Sequence, residues 1–96
     1  MASFRLTERA RNDLLDIFLF GIEAFGSRQA ESYLADLEHT FGLLASGPKM
    51  GRLAKGVGLD VRRHEHGAHV IFYRTTDYGV RIAAIVHKSS IMDFEV

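Results

Sequence analysis

GAHVIFYR at residues 67–74, TTDYG at 75–79 and VRIAAIVH at 80–87 form the stretch whose reading decides the fold. The two outer pieces are rich in β-branched and aromatic residues, and the piece between them has turn chemistry, so the spacing predicts a β-hairpin. DVRRHEH at 60–66 alternates well enough to be a preceding strand, with Gly67-Ala68 as a two-residue loop. That loop sets His66 opposite His69 and His64 opposite Ile71. A loop of two or four residues around Asp77-Tyr78 then sets Thr75 opposite Val80 and Tyr73 opposite Ile82. Directly opposed residues share a face. One face therefore carries Ile71, Tyr73, Val80, Ile82, Ala84 and Val86 and is expected under helices. The other is expected to carry Arg63, Val70, Phe72, Arg74, Arg81, Ile85 and His87.

Upstream, SFRL at 3–6 reads as a short edge strand, and Thr7 as the N-cap of a helix with Glu8 in its first turn. Ala10, Leu14, Ile17, Phe18, Gly21 and Phe25 recur at helical spacing, and Leu15, Leu19 and Ile22 widen the apolar stripe beyond what one hairpin partner and one sheet can cover. Gly26-Ser27 reads as a stop and a restart, with Ser27 capping a second helix that carries Ala30, Tyr33, Leu34, Leu37, Phe41 and Leu44 on one side. So short a connection makes an antiparallel helical hairpin. Gly47-Pro48 ends it, and PKMGRLAKGVGLD at 48–60 reads as a loop. The predicted fold class is α+β, a helical hairpin packed on a small antiparallel sheet in the order β-α-α-β-β-β, with residues 1–96 as a single domain.

The formal charge is zero, but the halves differ: through Pro48 there are four Arg/Lys against seven Asp/Glu, and after it eight against five, giving −3 and +3. A basic sheet half points to a polar partner, while the neutral total argues against general coating of nucleic acid. The absence of cysteine removes disulfide and thiol chemistry. No apolar run approaches the about 20 residues of a membrane span, and the N-terminus lacks a signal-peptide pattern, so a cytoplasmic location and no membrane partner are expected.

Taken together, several elements resemble the ParE branch of the RelE/ParE toxin superfamily. They are FRLT with Ala10 and Asp13-Leu14, Phe25-Gly26, Gln29-Ala30, Tyr33 and Leu37. Pro48 to Arg52 as P-x-x-G-R, the Arg62 region, GAHVIFYR, AIVH at 84–87 and Met92-Asp93 complete the set. The resemblance implies the toxin of a bacterial type II toxin–antitoxin pair that inhibits DNA gyrase by trapping its cleaved-DNA state. It also implies neutralisation by a ParD-like ribbon-helix-helix antitoxin, through which alone DNA would be reached. The chain reads HKSSIMD at 87–93 where the family often has H-x-R-M-D.

On this reading an antitoxin helix lies in a groove over Leu15, Phe18, Leu19 and Ile22, and Arg63, Arg74, Arg81 and His87 form a basic sheet face for a partner or target. Two other readings stand beside it. One is ribosome-dependent mRNA cleavage of the RelE kind, in which the cations would stabilise charge on a scissile phosphate; Val70 stands where that branch usually has an arginine. The other is a non-toxic module that only binds antitoxin. No catalytic residue and no cofactor is expected. His64, His66 and His69 read as hairpin-end residues rather than a metal site. Asp13 and Asp16 read as solvated helix surface.

Overall fold

The computed structural model describes residues 2–91. Strand β1 (Ser3–Leu6) leads into helix α1 (Glu8–Phe25), helix α2 (Ser27–Ser46), a short 3₁₀ turn at Pro48–Met50, and strands β2 (Arg52–Leu53), β3 (Val61–His66), β4 (His69–Thr76) and β5 (Gly79–His87). The sheet order is β1-β5-β4-β3-β2. The three long strands are antiparallel, β1 joins β5 in parallel at one edge, and the two-residue β2 closes the other edge from within the glycine-rich loop.

Thr7 caps α1 by accepting the Ala10 N–H at 3.1 Å. At 100° per residue Ala10, Leu14, Ile17 and Gly21 fall on one side of α1, and this side meets α2 and the sheet. Gly21 lets the helices approach, since a Cβ there would stand 3.2 Å from the Ala30 Cβ. The chain passes between the helices at Gly26, whose φ of 90° and ψ of 160° suit glycine. Gly26 itself, not Ser27, occupies the cap position of α2, and Ser27 is its first helical residue. From α2, Leu37, Phe41, Leu44 and Ala45 join Ile71, Tyr73, Val80 and Ile82 in the main core. Phe41 meets Phe4 of β1 edge to face, with ring centres 5.4 Å apart.

Both hairpin registers are as the turns predict: His66 opposes His69, His64 opposes Ile71, Thr75 opposes Val80 and Tyr73 opposes Ile82. Beyond Ile82 the expected alternation fails. Tyr73 pairs with Ile82 but Phe72 pairs with Ala84, so Ala83 is an extra residue and β5 carries a bulge. The two faces exchange there. Ile85 points into the main core under the helices, whereas Ala84 and Val86 join Val61, Val70 and Phe72 in a second core on the outer face. That outer core is covered by Ala54, Val57 and Ile91. His87 consequently sits opposite His69 on the helix side, away from the arginines with which the alternation grouped it.

The bulge is held by the start of α1. The Thr7 hydroxyl donates to the Ala83 carbonyl at 2.9 Å, and the Ile85 N–H donates to Asp13 Oδ2 at 3.0 Å. Asp13 is only 15% exposed and also pairs with Arg9 at 2.9 Å, so it is a structural acceptor rather than solvated surface. Among the described residues no helix is long and apolar enough to cross a membrane.

Candidate functional site

Two surfaces gather the chemistry. The first lies along α1, whose core-facing side leaves both flanks uncovered. Leu15, Leu19 and Ile22 are 55%, 53% and 37% exposed on one flank, with Phe18 partly buried between them and the core. Phe20 and Phe25 are 63% and 61% exposed and pack on each other with ring centres 6.4 Å apart. The cavity beside α1 opens at these phenylalanines, not over the four residues singled out by periodicity. It encloses about 230 Å³ between Ile17, Phe20, Gly21, Phe25, Tyr33, His69 and His87.

Its polar end is built from the hairpin. The Tyr33 hydroxyl donates to the His66 carbonyl at 3.1 Å and lies 2.7 Å from His69 Nδ1. One phenolic proton cannot serve both acceptors, so when the hydroxyl donates to the carbonyl the His69 contact requires the tautomer whose Nδ1–H donates to the phenol oxygen. Burial, with the His87 and His66 rings nearby, lowers the His69 pKa to about 4 and keeps the ring neutral at pH 7. Burial likewise raises the Tyr33 pKa. The His87 ring stands edge-on to His69 at 5.3 Å, and its Nδ1 accepts the Ser89 N–H at 3.0 Å. These contacts link helix to hairpin and hold the cavity's shape. No group of His, Asp or Glu among the described residues has the arrangement of a metal site.

The second surface is the outer face of the sheet. Arg81 is directly opposed to Arg74 on one side and to Arg5 on the other, so three arginines stand in a row of paired positions across β4, β5 and β1. Arg5 lies 4.3 Å above the Tyr78 ring, Arg81 Nε donates to the Tyr78 hydroxyl at 3.4 Å, and Arg74 donates to the Leu59 carbonyl at 2.6 Å. Arg63 lies apart from this row, nearly buried at 12% exposure and 3.7 Å from Glu65, which also reaches Arg52 and Lys88. Val70 is fully buried beneath. Thus of the four residues expected on one basic face, Arg74 and Arg81 stand together, Arg63 serves a separate ion-pair network, and His87 is on the opposite face. Arg5 was missed, and its signal was the SFRL alternation, which needed only the knowledge that β1 pairs with β5. Met92-Asp93 lies outside the described residues.

The family model for ParE toxin of type II toxin-antitoxin system, parDE, matches residues 4–92. Toxin ParE1 of Caulobacter vibrioides is 36% identical over 91 residues, covering 93% of this chain and 92% of that protein. Toxin ParE1 of Mycobacterium tuberculosis strain H37Rv is 29% identical over 91 residues, covering 94% and 93% respectively. A solved structure described as a chromosomal ParDE TA system from P. aeruginosa shares the fold with a TM-score of 0.75 at 20% identity, covering 91% of this chain and 96% of that one. With the matched segment running from β1 to the end of β5 and beyond, the chain belongs to the ParE toxin family of type II toxin–antitoxin systems.

Proposed function

We propose that this toxin inhibits DNA gyrase by binding, without chemistry of its own, and that a ParD-like antitoxin silences it by laying an amphipathic helix along α1. Residues 1–96 act as one toxin unit in the cytoplasm, where gyrase is. The observation that carries the antitoxin reading is the run of large apolar side chains left uncovered on one helix, Leu15, Leu19, Phe20, Ile22 and Phe25. An amphipathic helix is the partner whose own stripe matches such a surface. Binding is favoured over RNA cleavage because the basic groups do not converge. Arg74 and Arg81 stand on one face of the sheet and His87 on the other, Arg63 is tied to Glu65, and Val70 is sealed in the outer core. A phosphate-cleaving site needs cations and a proton carrier within reach of one scissile bond.

The test adds purified toxin to a gyrase supercoiling and DNA-cleavage assay and, separately, to translating ribosomes. Cleaved DNA is expected to accumulate while mRNA stays whole. Loss of mRNA at the ribosomal A site with gyrase untouched would overturn the reading, and expression without growth arrest would leave only antitoxin binding.

A further inference from the structure

The outer face treats its cations in two ways. At one end Glu65 stands within 4.0 Å of Arg52, Arg63 and Lys88. At the other, Arg5, Arg81 and Arg74 form no ion pair among the described residues, although Asp77 lies in the turn between the last two. Like charges directly opposed across strands destabilise a sheet, and Arg81 is opposed to an arginine on both sides. The groups that orient the three guanidiniums are an aromatic ring, a phenol and a backbone carbonyl, which fix their positions and leave their charge intact. Folding alone gains little from such a row. An anionic ligand would relieve it.

We propose that Arg5, Arg81 and Arg74 bind the phosphate backbone of DNA directly, in addition to the antitoxin route that the family resemblance implies, so that the toxin grips the nucleic acid of its target complex as well as the protein. The proposal rests on the gyrase reading above for its context, since gyrase in its cleaved state presents DNA beside the protein surface. Two strand spacings separate the backbones of the outer members of the row by about 10 Å, about three steps of the ~3.4 Å axial rise of one DNA strand, so each arginine can reach a different phosphate. Guanidinium groups in a fixed orientation suit the bidentate geometry of phosphate oxygens. The competing occupant is an acidic protein segment, for which Leu59, 86% exposed and adjoining Arg74 through its carbonyl, would be the apolar anchor.

The experiment measures fluorescence anisotropy of a labelled 20-base-pair duplex with the full chain over a salt series. Three phosphate contacts predict a log–log slope of about −2.7, or about 40-fold weaker binding between 50 and 200 mM salt. The triple variant Arg5→Gln, Arg74→Gln, Arg81→Gln should lose this binding while its Tm stays level or rises, because like-charge repulsion has been removed. Arg5→Gln alone, at an exposed edge position, should lower the slope by about 0.9 and serves if the triple variant does not fold. Binding unchanged in these variants, no binding of the duplex at low salt, or tighter binding of poly-L-glutamate would each overturn the proposal. Gyrase inhibition on the same samples separates the two readings. Inhibition without duplex binding would sink the arginine row alone, and duplex binding without inhibition would sink the gyrase target and leave the row standing.

Discussion

The helix side of the sheet and its outer side are built from alternate residues of the same strands, yet they manage polar groups in opposite ways. Under the helices each polar group named has an internal partner. The Tyr73 hydroxyl donates to the Pro48 carbonyl at 2.6 Å and accepts the Gly51 N–H at 2.9 Å, and Asp13 takes the N–H that the bulge leaves beside Ala83. On the outer side, cover among the described residues comes from a loop around Ala54 and Val57 with Ile91, and Arg5, Arg74 and Arg81 form no ion pair among the described residues. A thick layer allows a dry, fully paired core; a thin one leaves room for a partner. On the proposal made above, the helix side of the sheet serves stability and the outer row of arginines serves recognition.

Truncating one phenylalanine on each face tests this division most severely. Phe41 and Phe72 are both fully buried. Phe41 is fixed between α2, β1 and the sheet, so Phe41→Ala is expected to cost about 3–5 kcal/mol by urea denaturation. Among the described residues the cover over Phe72 includes a loop instead of two helices, so Phe72→Ala should cost less, about 3 kcal/mol, the low end of that range. Equal costs would show that the outer cover is as rigid as the helices. Next in size is Asp13→Ala, which strands the Ile85 N–H and removes an ion-pair contact of Arg9; about 2–3 kcal/mol is expected, with Asp13→Asn keeping an acceptor and losing less. An unchanged urea midpoint in Asp13→Ala would mean that water replaces the carboxylate.

These same residues mark how far the sequence was legible. Even-numbered turns at Gly67-Ala68 and Asp77-Tyr78 set both hairpin registers, because a two-residue loop leaves no freedom to slip. The helical hairpin followed from apolar periodicity and from Gly26. The bulge was hidden because Ile82-Ala83-Ala84-Ile85-Val86 is apolar in either alternation, so no polar residue marks where the faces exchange. What fixes it comes from Thr7 and Asp13, 76 and 72 residues away, which no local pattern records. His87 was misplaced for that reason alone. The parallel pairing of β1 is equally non-local, and it is what adds Arg5 to the row of Arg81 and Arg74.

Protonation probes the helix side more gently. His69 has its pKa lowered to about 4 in the fold, chiefly by burial, against 6.5 for a free ring. As pH falls through 6.5 the unfolded chain takes up this proton first, so the stability that the neutral ring contributes is complete above about 6.5 and is lost progressively toward 4. The ring is partly solvated, which limits the loss to about 1–2 kcal/mol. Urea midpoints between pH 4 and 7 should fall accordingly, and His69→Gln should flatten that part of the profile. Parallel profiles for the two proteins would remove His69 from the account.

The smallest effect on stability is expected on the exposed flank of α1, where the comparison extends from the sheet to the helix above it. Leu19 is 53% exposed, so in the free toxin Leu19→Glu removes little packing and should move stability by no more than about 0.5 kcal/mol. If an antitoxin helix covers that flank, the same change places a carboxylate in an apolar contact. Burying what remains of a leucine and then desolvating a charge against it should cost at least about 1.5 kcal/mol, a loss of affinity of about tenfold or more. Calorimetry with the antitoxin measures the affinity, and far-UV circular dichroism checks the fold. Phe20→Glu, beside the cavity on the other flank, is the necessary companion. Weakening by Leu19→Glu alone places the antitoxin over Leu15, Leu19 and Ile22. Weakening by Phe20→Glu alone moves it to the histidine-lined cavity, and weakening by both means that it spans the helix.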